Sequence, residues 1–177
     1  LNVDLIIGLP NVTKQLFKKD LDNILFLDVN HISCYSLTVH EHTSFFNKGI
    51  KEPSDLFSRD IYDYAHAKLK EKGYTHYEIS NWSKPGKASR HNMVYWKNEH
   101  YYGCGLGASG YENNIRYTNT KNIHKYNEGK YLDYSEIVEL NDDIEYQILL
   151  NLRTVEGLNL DLFKEKFGFD LYESKKA

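Results

Sequence analysis

An aspartate stands alone in the apolar run Val3-Asp4-Leu5-Ile6-Ile7-Gly8-Leu9-Pro10. On a strand, Asp4, Ile6 and Gly8 share one face, and Leu5, Ile7 and Leu9 share the other. Burying an unpaired carboxylate is costly, so Asp4 needs a partner. A ribose diol is one such partner, with Gly8 letting a ligand approach the backbone. A lysine or a backbone amide in a purely structural role is another. Farther on, Ile32, Cys34, Ser36 and Thr38 would share a strand face that grows more polar toward its end. Ligands of parallel sheets sit at the carboxyl ends of strands, which makes Thr38 a candidate lining residue. Cys34 reads as a small buried residue, because nothing near it in sequence would activate its thiol.

Three further runs invite a chemical reading. His40-Glu41-His42 places two imidazoles on one side of an extended segment, but two ligands on a polar loop are not a metal site. Gly105-Leu106-Gly107-Ala108-Ser109-Gly110 has the G-x-G-x-x-G spacing of a dinucleotide loop. That loop must open a helix, and here Tyr111 to Tyr117 reads as a strand pair with an Asn113-Asn114 turn, so NAD binding is rejected. The densest cluster is Arg90-His91-Asn92-Met93-Val94-Tyr95-Trp96. Its histidine and aromatic rings could clamp a large flat ligand such as haem. The same residues could instead fill a core, with His91 and Asn92 in structural hydrogen bonds.

Strand and helix signals alternate through the elements that must position these residues. After the opening strand, Thr13 is placed to cap a helix carrying Leu16, Phe17, Leu21, Ile24 and Leu25 at helical spacing. Residues 31–38 alternate as a strand. Asp55 is expected to cap a second helix with Phe57, Ile61, Ala65 and Leu69 on one face, stopped by Gly73. A third strand is expected from Tyr74 to Trp82. This alternation predicts crossover units and a parallel sheet or barrel. After Pro85-Gly86 the pattern turns strand-rich and aromatic. From about Asp142 it is helical again, with a last helix near residues 160–167 stopped by Gly168.

Composition narrows the function classes. Apolar residues make up 41% of the chain, enough for a packed core, and the net charge of -3 lacks the clustered basic character of a nucleic-acid footprint. No apolar run approaches a membrane span, and the opening residues are expected to form a strand and not a signal peptide. Cys34 and Cys104 lie far apart, which points to a reducing, cytoplasmic setting without a disulfide framework. Met93 is the only methionine, and the chain opens directly on a strand. A piece of a longer protein is the expectation, inactive by itself.

Taken in order, Val3 to Pro10, Tyr35-Ser36-Leu37-Thr38, Tyr77-Glu78-Ile79-Ser80-Asn81, His91 to Trp96 and Gly103 to Tyr111 resemble a known family. The chain is similar to the oxygen-independent coproporphyrinogen III oxidase-like radical S-adenosylmethionine proteins. The His-Asn-x-x-Tyr-Trp string is similar to the one marking the HemW branch, regarded as haem chaperones. The likeness extends to Leu152-Arg153-Thr154 and Glu156-Gly157-Leu158. It departs at His40-Glu41-His42, where relatives tend to read Glu-Pro-Gly.

The resemblance implies an α/β fold: the C-terminal part of a partial TIM-like (radical SAM) barrel over residues 1–83, a strand-rich extension over 84–134 and the start of a small helical domain over 135–177. It implies that Asp4, Ile6, Thr38 and Ser109 line an S-adenosylmethionine site, and that His91, with Tyr95 and Trp96, contacts haem. It implies a [4Fe-4S] cluster on an upstream Cys-x-x-x-Cys-x-x-Cys motif, which this chain lacks. No metal site is therefore expected within the chain. Two functions follow from the likeness. One is haem binding and delivery to haem-accepting proteins; the other is oxidative decarboxylation of a porphyrinogen.

Overall fold

The computed structural model describes residues 1–172 and divides the chain into two compact units, one ending at Ser89 and the other starting at Arg90. The last five residues of the expected 135–177 segment lie outside the described part. The first unit runs β1 (Asn2–Ile7), α1 (Lys14–Phe26), β2 (His31–Ser36), α2 (Ser44–Asn47), α3 (Asp55–Glu71), β3 (Thr75–Glu78) and β4 (Asn81–Ser83). Its four strands form one sheet in the order β1-β2-β4-β3. β1 and β2 are parallel, with Asp4 opposite Ser33 and Ile6 opposite Tyr35.

Thr13 caps α1 as its position predicts, accepting from the Leu16 amide at 3.3 Å. The cap of α3 is Ser54, not Asp55; the hydroxyl takes the Phe57 amide and Asp55 becomes the first helical residue. Its negative charge there suits the positive end of the helix dipole. Phe17 and Leu21 of α1 and Ile61, Ala65 and Leu69 of α3 pack on Leu5, Ile7, Ile32, Cys34 and Trp82 of the sheet. Lys14 and Asp60 add an ion pair between the two helices.

The expected third strand is two strands. β3 and β4 form an antiparallel hairpin, and β4 runs antiparallel to β2. The parallel expectation therefore holds for β1 and β2 only. The reversal is made by Glu78, fully buried, whose carboxylate accepts from the Ser80 amide at 3.0 Å and from the Asn81 side-chain amide. A buried side chain does the work that a glycine-rich turn usually does.

The second unit runs α4 (Arg90–Trp96), β5 (Ser109–Glu112), β6 (Ile115–Asn119), α5 (Ile123–Asn127), β7 (Leu132–Ile137), α6 (Leu140–Asn151) and α7 (Leu160–Phe167). β5, β6 and β7 form an antiparallel sheet in that order. The β5–β6 turn is the expected Asn113-Asn114 pair, and both residues take positive φ, at 50° and 60°. Gly110 lies directly beneath the Tyr117 ring, in space that a Cβ would occupy. Gly110 thus serves close packing in the strand pair, whereas Gly105 and Gly107 of the run take positive φ, at 106° and 66°. Arg116 of β6 sits between the rings of Tyr111 and Tyr146, at 4.2 and 4.3 Å, and donates to Asn98 at 2.7 Å. Asn98 in turn donates to Asp143 at 2.6 Å, tying the sheet to α6.

Candidate functional site

The sheet of the first unit has one face covered by α1 and α3. Leu5 and Ile7 point to that face, so the alternation of β1 puts Asp4 and Ile6 on the helix-free face. Asp4 is exposed there. Ile6 and its register partner Tyr35 are also exposed, at 39% and 41%. A carboxylate thus stands beside one aliphatic and one aromatic side chain.

Behind Asp4 lies a polar chain that residue-by-residue reading of the sequence passes over. The Asn2 side-chain amide donates to Asp4 at 2.7 Å. The other end of Asn2 meets His31 Nδ1 at 2.7 Å and the Ser33 hydroxyl at 3.3 Å. His31 Nε2 lies 2.7 Å from the Tyr77 hydroxyl. His31 is 7% exposed, and burial pushes its pKa below the ordinary value while Asp4 and Glu78 pull the other way. The available signal was the period of 2: Asn2 shares a strand face with Asp4. His31 and Tyr77 come from distant strands, and only sheet register brings them in.

Thr38 lies elsewhere. Ile32 and Cys34 point into the helix-side core, so only the Ser36 and Thr38 end of the expected polar face opens onto a cleft. Thr38 sits beyond β2 and lines a cleft of about 370 Å³ with Ile7, Ser36, Pro53, Ser58 and Tyr62. The structure does not bring it onto the face that carries Asp4 and Ile6. Gly8 takes a φ of +83°, and the space where a Cβ would stand is filled by the Pro53 ring. Its freedom serves the backbone turn and not ligand approach. Ser109 belongs to the second unit, where its hydroxyl meets that of Thr118 at 3.0 Å.

The His91 cluster folds as a helix, which decides who meets whom. His91 and Tyr95 are one turn apart, and the Tyr95 hydroxyl lies 2.8 Å from His91 Nε2. Tyr95 also packs edge-on against Tyr101 at 4.5 Å. Trp96 falls about 140° around the helix from His91. It is covered instead by the Arg153 guanidinium at 4.4 Å, and its carbonyl accepts from Asn151 at 2.7 Å. With Met93 it lines a cleft of about 720 Å³ that also involves Gln147, Leu158 and Phe163. His91 is exposed and lies outside that cleft.

Several curated proteins match the chain along nearly its whole length. It is 37% identical to the haem chaperone HemW of Lactococcus lactis over 94% of the chain, and 34% identical to that of Bacillus subtilis over 97%. The Escherichia coli HemW is 34% identical over 80% of the chain. The chain is a relative of the HemW proteins. It spans about half the length of these HemW relatives: 46% and 48% of the first two. No protein-family model matches it. Among solved structures, the coproporphyrinogen III oxidase HemN from Escherichia coli, described as a radical SAM enzyme, superposes with a TM-score of 0.77. That match covers 95% of this chain and 43% of HemN at 18% identity, so it establishes a shared, partial fold.

An iron–sulfur cluster does not fit the residues present. Cys34 is buried with its thiol pushed up to about 12 by desolvation, and Cys104 is in the other unit. Among the described residues no group of three His, Cys, Asp or Glu side chains is placed to hold a metal. Iron–sulfur reconstitution of this 177-residue chain is therefore expected to yield no stoichiometric [4Fe-4S] absorption band. Such a band from the monomeric chain would sink this account of its cysteines. Among the described residues no helix is long and apolar enough to cross a membrane.

Proposed function

We propose that this chain supplies an S-adenosylmethionine-contacting strand face and a haem-contacting helix to a radical S-adenosylmethionine haem chaperone. The observation that carries the proposal is the identity of 37% with a HemW protein over 94% of the chain, against 18% with the HemN structure. The exposed imidazole of His91 supports it, since a side chain that would hold haem iron must be reachable. So does the helix-free face of the first unit. There Asp4 offers a carboxylate to a ribose diol, while Ile6 and Tyr35 offer apolar surface to the rest of the nucleoside. Thr38 belongs to the same proposal as a lining residue, and Ser109 is the residue of the second unit that the family likeness assigns to it. The cluster itself would be held by cysteines outside this chain. Free thiols at Cys34 and Cys104 suit the cytoplasm.

The second reading is a porphyrinogen-decarboxylating oxidoreductase, favoured by the fold shared with HemN. One experiment separates the two. The full-length protein, loaded with haem, is mixed with a haem-free acceptor protein, and in parallel is supplied with coproporphyrinogen III, S-adenosylmethionine, a reductant and an electron acceptor. Haem transfer without decarboxylation is the expected result. Turnover of the porphyrinogen would select the second reading.

Asp4→Asn in the full-length protein is expected to weaken S-adenosylmethionine binding by about 1–3 kcal/mol, the cost of losing a charge-assisted hydrogen bond. Titration calorimetry reads this directly. Wild-type affinity in that variant would make Asp4 a structural residue.

A further inference from the structure

We infer that Asn2 and His31 are positioning residues that hold the Asp4 carboxylate in one orientation for a ligand hydroxyl. This rests on the reading of Asp4 as a ligand contact. The argument starts from the carboxylate, which when ionised accepts hydrogen bonds and cannot donate them. The Asn2 atom at 2.7 Å from Asp4 must therefore be the amide nitrogen. The Asn2 oxygen is then turned toward His31 and Ser33, where the Ser33 hydroxyl donates to it at 3.3 Å. An amide oxygen only accepts, so His31 Nδ1, 2.7 Å away, must carry a proton. Burial favours the neutral ring, which leaves Nε2 to accept from the Tyr77 hydroxyl at 2.7 Å. The donors thus run in one direction: Tyr77 to His31, His31 to Asn2, Asn2 to Asp4.

The members of this chain are fixed before any ligand arrives. Asn2 precedes Asp4 by two residues on β1, and His31 is its register partner on β2. His31, buried, has both ring nitrogens engaged, so its ring cannot turn without losing both bonds. Asn2 cannot flip either, because its oxygen would then face a carboxylate. The result is an exposed Asp4 with one carboxylate oxygen held by Asn2 and the other open to a ligand hydroxyl. A pre-set acceptor spares the ligand the entropy of ordering it.

The test measures S-adenosylmethionine affinity by calorimetry on the cluster-loaded full-length protein, with circular-dichroism melts to establish folding. Asn2→Ala and His31→Gln are expected to weaken binding about three- to tenfold, because Asp4 is intact but no longer held. His31→Asn places an amide nitrogen near the position of Nδ1 and is expected to restore affinity to within about twofold of wild type. The double variant Asp4→Asn with Asn2→Ala is expected to bind no worse than Asp4→Asn alone, since Asn2 acts through Asp4. Nitrogen-15 NMR of the His31 ring should place its proton on Nδ1. Loss of affinity in Asp4→Asn with wild-type binding in both Asn2→Ala and His31→Gln overturns the inference alone. Additive losses in the double variant, or a proton on Nε2, do the same. Wild-type affinity in Asp4→Asn removes the reading beneath it and the inference with it. If Asn2→Ala does not fold, the contrast between His31→Asn and His31→Gln still decides.

Discussion

Trp82→Ala is expected to lower the unfolding free energy of the first unit by about 3–5 kcal/mol, the usual cost of removing a buried indole. Trp82 has 0% exposure and lies on β4, between β2 and β3. Its ring stacks on His76 at 4.6 Å and meets Tyr62 at 5.4 Å and His66 at 6.1 Å. Its indole N–H donates to His66 Nδ1 at 3.4 Å. Truncation therefore opens a cavity bounded by three rings that are anchored on α3 and β3 and cannot collapse together. Domains are stable by only about 5–15 kcal/mol, so the variant would be near its threshold. Urea unfolding followed by circular dichroism measures the loss without relying on the deleted fluorophore. A change below about 1 kcal/mol would mean that the ring is not central to this core.

The same tryptophan shows where the sequence is legible and where it is not. Apolar periodicity gives β1, α1 and α3 correctly, because each buries one face and the pattern is local. The Asn113-Asn114 turn is legible for a similar reason: both residues tolerate the positive φ that the hairpin demands. The β3–β4 hairpin is not, because its turn has no glycine or Asn-Gly signal. It is closed by Glu78, and that closure depends on burial by the rest of the sheet. β7 escapes too. Its side chains are almost all exposed, so it carries no inside–outside alternation to read. Of the candidate site, the face of Asp4 and Ile6 follows from the period of 2. The partners His31 and Tyr77 depend on the pairing of strands far apart in sequence, which local patterns do not encode. Trp96 is separated from His91 because the cluster is helical, and residue types alone left that conformation open.

His91→Ala in the full-length protein is expected to weaken haem binding at least about tenfold and to shift or abolish the Soret band, leaving any iron–sulfur absorption unchanged. The cluster would depend on thiolates outside this chain, whereas His91 is presented on α4 by its own helix. Tyr95 gives the prediction a sign. Its hydroxyl lies 2.8 Å from His91 Nε2, the ring nitrogen farther from the backbone and the one a bulky macrocycle can reach. Ligation through Nε2 must displace that hydroxyl, which at an exposed site costs about 0.5–1.5 kcal/mol. Tyr95→Phe removes the competitor while keeping the ring packed on Tyr101. It is therefore expected to tighten haem binding by about two- to tenfold. Weaker binding in Tyr95→Phe would instead mean that iron takes Nδ1 while the hydroxyl orients the ring from behind. Unchanged haem spectra and affinity in His91→Ala would remove His91 as a ligand altogether. Trp96→Phe serves as the control. Trp96 faces Arg153 and lies about 140° around the helix from His91, so the Soret band is expected to stay in place.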